Sequence, residues 1–397
     1  MFSKQAVRLM ILLSMMSFAS LLSNVFVNIF LWKITSDMRS LAIYNLTLYA
    51  ACALTIPVFG WVMKRYSAML VFRLSILFSI AYFSCIILCA GRIEQILYLL
   101  GTLSGIGTAS NVNSSNQLTV RFTQPENRSR FLSYSNVLNS AASMVCPLIS
   151  GVLIMLFDDL YGYYVLFGIS IALYLASFVL CSWFEEQHAA RPFRFFYTWR
   201  TCSPLLRRVN LTQFIIGLRD GIFDFLINVL IFDIVKNEGL FGAATSFSRL
   251  IIVIFYWAAG RWVHKDNLYK HLRYSMWLMW AAPIPLFVLA NTPGMIAQTI
   301  MNAIAAPIVA ITLNSLNFNS IERASRNDDL EESLALKEVC LNTGKATGVA
   351  IFLVMQSYLT TGWIYAILLI LNLCYVASYY IYRGAERKVG AAEAGAV

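Results

Sequence analysis

Five charged residues sit where a membrane-spanning helix tolerates them least. Arg219, Asp220 and Asp224 lie near the middle of the apolar run Val209–Val235, Arg249 about nine residues into the run 240–263, and Lys345 about eleven into 334–357. A charge at a helix centre costs about 2.5–3.5 kcal/mol on insertion scales, so such residues pair with one another or line a water-filled cavity. At about 1.5 Å per residue, all of them fall near the bilayer middle. Asp220 and Asp224 are one turn apart and share a helix face. Two carboxylates close together in low dielectric do not both ionise easily, which makes one of them a proton carrier. Protonation would release a cationic partner, Arg249, Lys345 or Arg219, to an anionic substrate, or the reverse, and the exchange would couple proton to cargo. The alternative is a static ion-pair network that fixes helix packing. Neighbours 219 and 220 point about 100° apart, so Arg219 is open to a different partner.

The first half of the chain carries neutral polar residues in its apolar runs instead. Asn24 and Asn28 share a face, as do Asn113 and Gln117, and Asn45, Asn136 and Asn139 add further amides. Asn24, Asn28, Asn113 and Asn139, with Asn228 and Asn342 in the second half, are expected to offer a hydrogen-bonding wall to cargo. The competing reading pairs such residues across helices for about 0.6–2 kcal/mol each. Gly344 and Gly348, flanking Lys345, form a GxxxG that predicts close approach of a neighbouring helix.

The elements that hold these residues follow from composition. Hydrophobic residues make up 59% of the 397 and charged residues 13%, against about 45–50% apolar in soluble proteins, so the chain is an integral membrane protein. Apolar runs centre on 8–33, 40–63, 68–90, 96–118, 131–156, 163–183, 209–235, 240–263, 272–290, 295–317, 334–357 and 361–382. Each is long enough to cross the bilayer, giving twelve expected spans. The first is too long for the apolar region of a signal peptide and reads as an uncleaved span. Lys and Arg gather in the loops on the N-terminal side, which places both termini in the cytoplasm; a bacterial cell membrane is expected.

The net charge of +10 reflects this topology and not nucleic-acid binding. Seven of the eight cysteines lie in apolar runs, without a CxxC pair, and His188, His264 and His271 lack metal-ligand spacing. Neither a metal, a cofactor nor a disulfide framework is expected. GxSxG and HExxH are absent, which argues against a membrane-embedded enzyme. No soluble stretch is long enough to bury a core of its own, which argues against a sensor with an output domain but leaves open a transporter-like receptor.

The interruption 184–208, with Pro192, Pro204 and the aromatic-basic run Phe193–Arg200, divides the chain into an N-terminal six-helix bundle, 1–183, and a C-terminal one, 209–383, followed by a cytoplasmic tail, 384–397. The run fits a helix lying on the lipid surface; a plain tether is the alternative. The halves align: adding 200 maps Asn24 and Asn28 onto Asp224 and Asn228, and Gly60 and Arg65 onto Gly260 and Lys265, while Leu138-Asn139 matches Leu341-Asn342 with an offset of 203. Such matches argue for duplication.

Gly60-Trp-Val-Met-Lys64-Arg65 resembles the loop between spans 2 and 3 of the major facilitator superfamily of secondary transporters, keeping Gly60 and Arg65 but with Lys64 where the family has Asp. Cys146-Pro147-Leu-Ile-Ser-Gly151 is similar, through Pro147 and Gly151, to a span-5 motif of proton-coupled antiporters in that family. The resemblance implies an all-α fold of twelve transmembrane helices in two pseudo-symmetric six-helix bundles around a central cavity, working as a monomer by alternating access. It implies a secondary transporter whose partners are a small-molecule substrate and membrane lipids. Combined with the intramembrane charges, the expected function is proton-coupled efflux of a small amphipathic or anionic compound. Alternatives are an uncoupled carrier or flippase of lipid-linked cargo and a non-transporting receptor.

Overall fold

The computed structural model describes residues 3–123, 125–184, 192–262, 268–289, 291–324, 330–356 and 361–394. Helices account for nearly all of them: α1 (Lys4–Thr35), α2 (Met38–Arg65), α3 (Ala68–Leu88), α4 (Ile93–Phe122), α5 (Pro125–Met155), α6 (Tyr161–Leu180), α7 (Phe195–Arg200), α8 (Pro204–Val235), α9 (Glu238–Trp262), α10 (Leu268–Ala281), α11 (Ile284–Leu289), α12 (Thr292–Ala324), α13 (Leu330–Met355), α14 (Thr361–Leu371) and α15 (Leu373–Ala394). Capping side chains set several starts. Ser3 accepts from the Ala6 amide, Asp37 from Arg39 and Ser40, Ser67 from Leu70, and Asn237 from Leu240.

Among the described residues, ten helices are long and apolar enough to cross a membrane, against the twelve expected. The two shortfalls are α4 and α8, which have 30 and 32 residues but carry the Asn111–Gln117 polar run and the Arg219/Asp220/Asp224 charges. The polar run sets α4 apart from the ten, and the three charges set α8 apart. The expected ninth span is split, α10 ending at Ala281 before Pro283, and the twelfth is interrupted at Asn372. Residues 384–394, expected as a tail, continue α15.

Helix ends recur at an interval of 200. Lys4 and Pro204, Thr35 and Val235, Met38 and Glu238, Ala68 and Leu268, Met155 and Met355, and Tyr161 and Thr361 are corresponding ends. The turns after α1 and α8 match in detail, each with a left-handed residue, Ser36 at φ 48° or Lys236 at φ 53°, before an Asp37 or Asn237 cap. The ends of α5 and α13 leave the Leu-Asn match, with its offset of 203, three residues out of this register.

The chain forms two compact units, Met1–Phe193 with Phe225–Phe247, and Arg194–Asp224 with Ser248–Val397. In the first, small residues let helices meet. Ser150 on α5 donates to the Leu22 carbonyl on α1 at 2.6 Å, Ser23 and Ser170 join α1 to α6 at 2.6 Å, and the backbone of α2 at Tyr44 and Leu48 lies against Gly101 and Gly105 of α4. Gly151 and Pro147 of α5 abut Glu238 and Gly242 of α9. Beside them Lys33 pairs with Glu238, which also accepts from the Tyr163 hydroxyl at 3.2 Å.

In the second unit α10 packs with α12 and α15, α11 with α12 and α14, and α13 with α7. Phe195 and Thr198 of α7 are buried, while Phe196, Tyr197 and Trp199 are exposed.

Candidate functional site

The site is built on the crossing of α8 and α13. Gly217 and Gly221 face the backbone of α13 at Leu341, Gly344 and Lys345, while Gly344 and Gly348 face the carbonyls of Phe214 and Leu218. The GxxxG of α13 thus meets a second one, Gly217-x-x-x-Gly221, at a separation that leaves no room for a Cβ. Gly344→Val is expected to destabilise the fold by about 1–3 kcal/mol, because the added carbons meet backbone, which cannot repack as a side chain would. A thermal-unfolding scan in detergent would read this as a lowered midpoint; an unchanged midpoint would show that the crossing is looser.

The close approach sets two charge pairs one turn apart. Lys345 donates to Asp224 Oδ2 at 2.7 Å, with 47% of the Asp224 side chain and 18% of the Lys345 side chain exposed. Arg219 pairs with the Asp220 Oδ1 at 3.0 Å in a buried setting. Arg219 Nε also donates to Asn372 Oδ1 at 2.8 Å, Asn372 Nδ2 donates to the Met279 carbonyl at 2.7 Å, and the Tyr375 hydroxyl donates to Asp220 Oδ1 at 3.2 Å. The guanidinium lies 3.5 Å from the Phe223 ring centroid and 5.1 Å from that of Tyr375. Its remaining nitrogen, which has no hydrogen-bond partner among the described residues, belongs to this aromatic sandwich. Arg249 is exposed and forms no ion pair within 4.0 Å among the described residues.

The two pairs differ in what they can do. Asp220 is held by the Arg219 guanidinium and the Tyr375 hydroxyl, and Arg219 in turn by an aromatic cage. In the other pair the Asp224 carboxylate is half exposed, while Lys345 is largely buried.

The neutral candidates scatter. Asn24 is exposed and donates to Ser20 at 2.6 Å; Asn28 accepts from Asn45 at 3.2 Å; Asn113 donates to the Ile56 carbonyl at 3.0 Å; Asn342 donates to the Glu338 carbonyl of its own helix at 2.9 Å. Asn228 is half-buried and Asn139 exposed. Gly60 backs onto the Phe193 ring, Lys64 is buried beneath the same ring, and Arg65 stacks on Trp61 and Tyr66. Gly260 is in α9, and Lys265 lies outside the described residues. Among the described residues no cluster of three His, Cys, Asp or Glu side chains could hold a metal ion.

Asn372, Tyr375 and the Gly217/Gly221 pair are the parts that the sequence reading missed. A lone Asn between Leu371 and Leu373 was a visible signal, since an amide in an apolar run needs a partner.

Among the described residues, the scaffold is multi-span and helical, with ion pairs set within its long apolar helices. The Major Facilitator Superfamily profile matches residues 9–327. The chain belongs to that superfamily of secondary transporters, and is therefore a transport protein for small molecules or ions and not an enzyme. Over 341 residues it is 26% identical to the uncharacterized protein YqgE of Bacillus subtilis (strain 168), covering 85% of this chain and 79% of that one. Its fold is similar to that of the POT family transporter PepTSo, with TM-score 0.76 and 9% identity over 98% of both chains. It is likewise similar to a mutant of the nucleoside transporter NupG, with TM-score 0.74 and 11% identity over 96% of this chain and 99% of that one.

Proposed function

We propose that the chain carries out proton-coupled efflux of a small amphipathic or anionic compound by alternating access, and that Asp224 and Lys345 are the pair through which proton and cargo are coupled. The observation that carries this reading is the 2.7 Å ion pair with its carboxylate half open to solvent, set one turn from a second carboxylate locked in a cage. A proton arriving at Asp224 neutralises it and frees the Lys345 ammonium; a hydrogen-bond acceptor on the cargo, anionic or neutral, can then take the carboxylate's place. Departure of the cargo restores the pair and favours loss of the proton. Asp220 keeps Arg219 in place. Coupling so defined is a difference in affinity between two protonation states, of about 5- to 150-fold in typical cases.

The scaffold for this cycle is read as twelve spans in two six-helix halves, 1–183 and 209–383, monomeric, joined by 184–208, with both termini in the cytoplasm of a bacterial cell. The recurrence of helix ends at an interval of 200 and the lengths of α4 and α8 support the count of twelve. The exposed Phe196, Tyr197 and Trp199 of α7 suit the lipid surface, where rings sit at headgroup depth.

The test is a thermal-shift screen of metabolites and drugs at two pH values, followed by flux of each hit in proteoliposomes. Flux that follows an imposed pH gradient supports coupling. Flux indifferent to it favours an uncoupled carrier or flippase, and binding without flux a receptor.

A further inference from the structure

The first compact unit contains a cavity of about 290 Å³ between the early turns of α1, the later turns of α4 and the early turns of α5. Nine of its twelve lining residues are Ser, Thr or Asn and none is ionisable, so a charged ligand would lose hydration there without gaining a counter-charge. The other three, Leu13, Met16 and Phe131, supply an apolar floor.

The hydroxyls in the wall are already turned. Ser115 donates to the Asn111 carbonyl and Thr119 to the Ser115 carbonyl at 2.8 Å, which leaves their oxygen lone pairs as acceptors. The Ser135 hydroxyl is buried and has no hydrogen-bond partner among the described residues. A buried polar atom in that condition calls for a partner from outside the fold. Asn139 and Asn136, both exposed, add amides that accept and donate. Ser14 and Ser17 precede Asn24 by ten and seven residues, which sets the cavity about 10–15 Å from the level of Asn24 along α1.

We infer that this cavity is a binding site for an uncharged compound rich in hydroxyl or amide N–H donors, with one apolar face against Met16 and Phe131. This deepens the carrier reading, on which it rests, by naming the cargo as neutral and amphipathic in preference to anionic.

Calorimetric titration of the full chain in detergent tests it, with uridine and methyl glucoside as neutral probes and uridine monophosphate and glucose 6-phosphate as their charged counterparts. At least one neutral probe is expected to bind, and its phosphorylated counterpart about tenfold or more weakly. Asn139→Ala, a truncation at an exposed position, is expected to weaken binding about two- to tenfold, the range for one lost hydrogen bond, and Ser135→Leu, which fills the cavity, to abolish it. Binding of neither neutral probe, equal binding of the phosphorylated ones, or indifference to Asn139→Ala would each overturn the inference. Neutral binding accompanied by flux that ignores a pH gradient would refute the coupling mechanism and leave this site standing. Flux driven by pH but confined to anions would do the opposite.

Discussion

Asp224→Asn is expected to abolish accumulation of cargo driven by a pH gradient while leaving exchange of labelled for unlabelled cargo intact. The substitution keeps size and hydrogen-bonding capacity but removes the carboxylate charge that faces Lys345 at 2.7 Å. Without two protonation states at this position, the difference in cargo affinity of about 5- to 150-fold that defines coupling collapses toward unity. Lys345→Met should show the same loss, since the ammonium is the group that protonation releases. The contrast between driven accumulation and exchange is what makes the result informative: a variant that merely misfolds loses both. Driven accumulation retained in Asp224→Asn would remove the residue from the coupling mechanism.

The second large effect is structural. Arg219→Met is expected to destabilise the fold by about 3–5 kcal/mol, because it strips a buried carboxylate and a buried amide of their common partner. Asp220 would keep only the Tyr375 hydroxyl, at 3.2 Å, and Asn372 only the Met279 carbonyl, at 2.7 Å, among the contacts of this cage. The double variant Arg219→Met/Asp220→Leu should recover much of the loss, since removing both charges of a buried pair costs far less than removing one. Denaturant or thermal unfolding in detergent reads both variants. A single variant within about 1 kcal/mol of the parent would mean that solvent reaches the cage and solvates Asp220.

The two predictions divide roles that the sequence leaves merged. Asp220 and Asp224 are one turn apart on one helix face, and nothing in their spacing says which is caged. The distinction comes from α14 and α15, where the break at Asn372 brings an amide and Tyr375 to Arg219. That contact spans 153 positions in the chain, far beyond the reach of helical periodicity.

Close helix packing was half legible: Gly344 and Gly348 announce a tight crossing, but their partner emerges only when Gly217 and Gly221 are seen against them. The all-helical membrane fold was legible, because run length needs no tertiary information, but the count of twelve was not matched by the ten long apolar helices among the described residues. The amides were the least legible. Asn28 and Asn113 find protein partners at 3.2 and 3.0 Å, whereas Asn139 lines a cavity, and periodicity treats all three alike. Which partner an amide finds depends on helix rotation, and a single sequence records it weakly.

The central claim is that one proton is exchanged at Asp224 as cargo binds beside Lys345. Its most direct test is the pH change of a weakly buffered solution of the purified chain in detergent when a cargo found by the thermal-shift screen is added. A stoichiometric proton movement in the parent protein that disappears in Asp224→Asn is the predicted result; cargo binding with no proton movement, or with the same movement in both proteins, would contradict it.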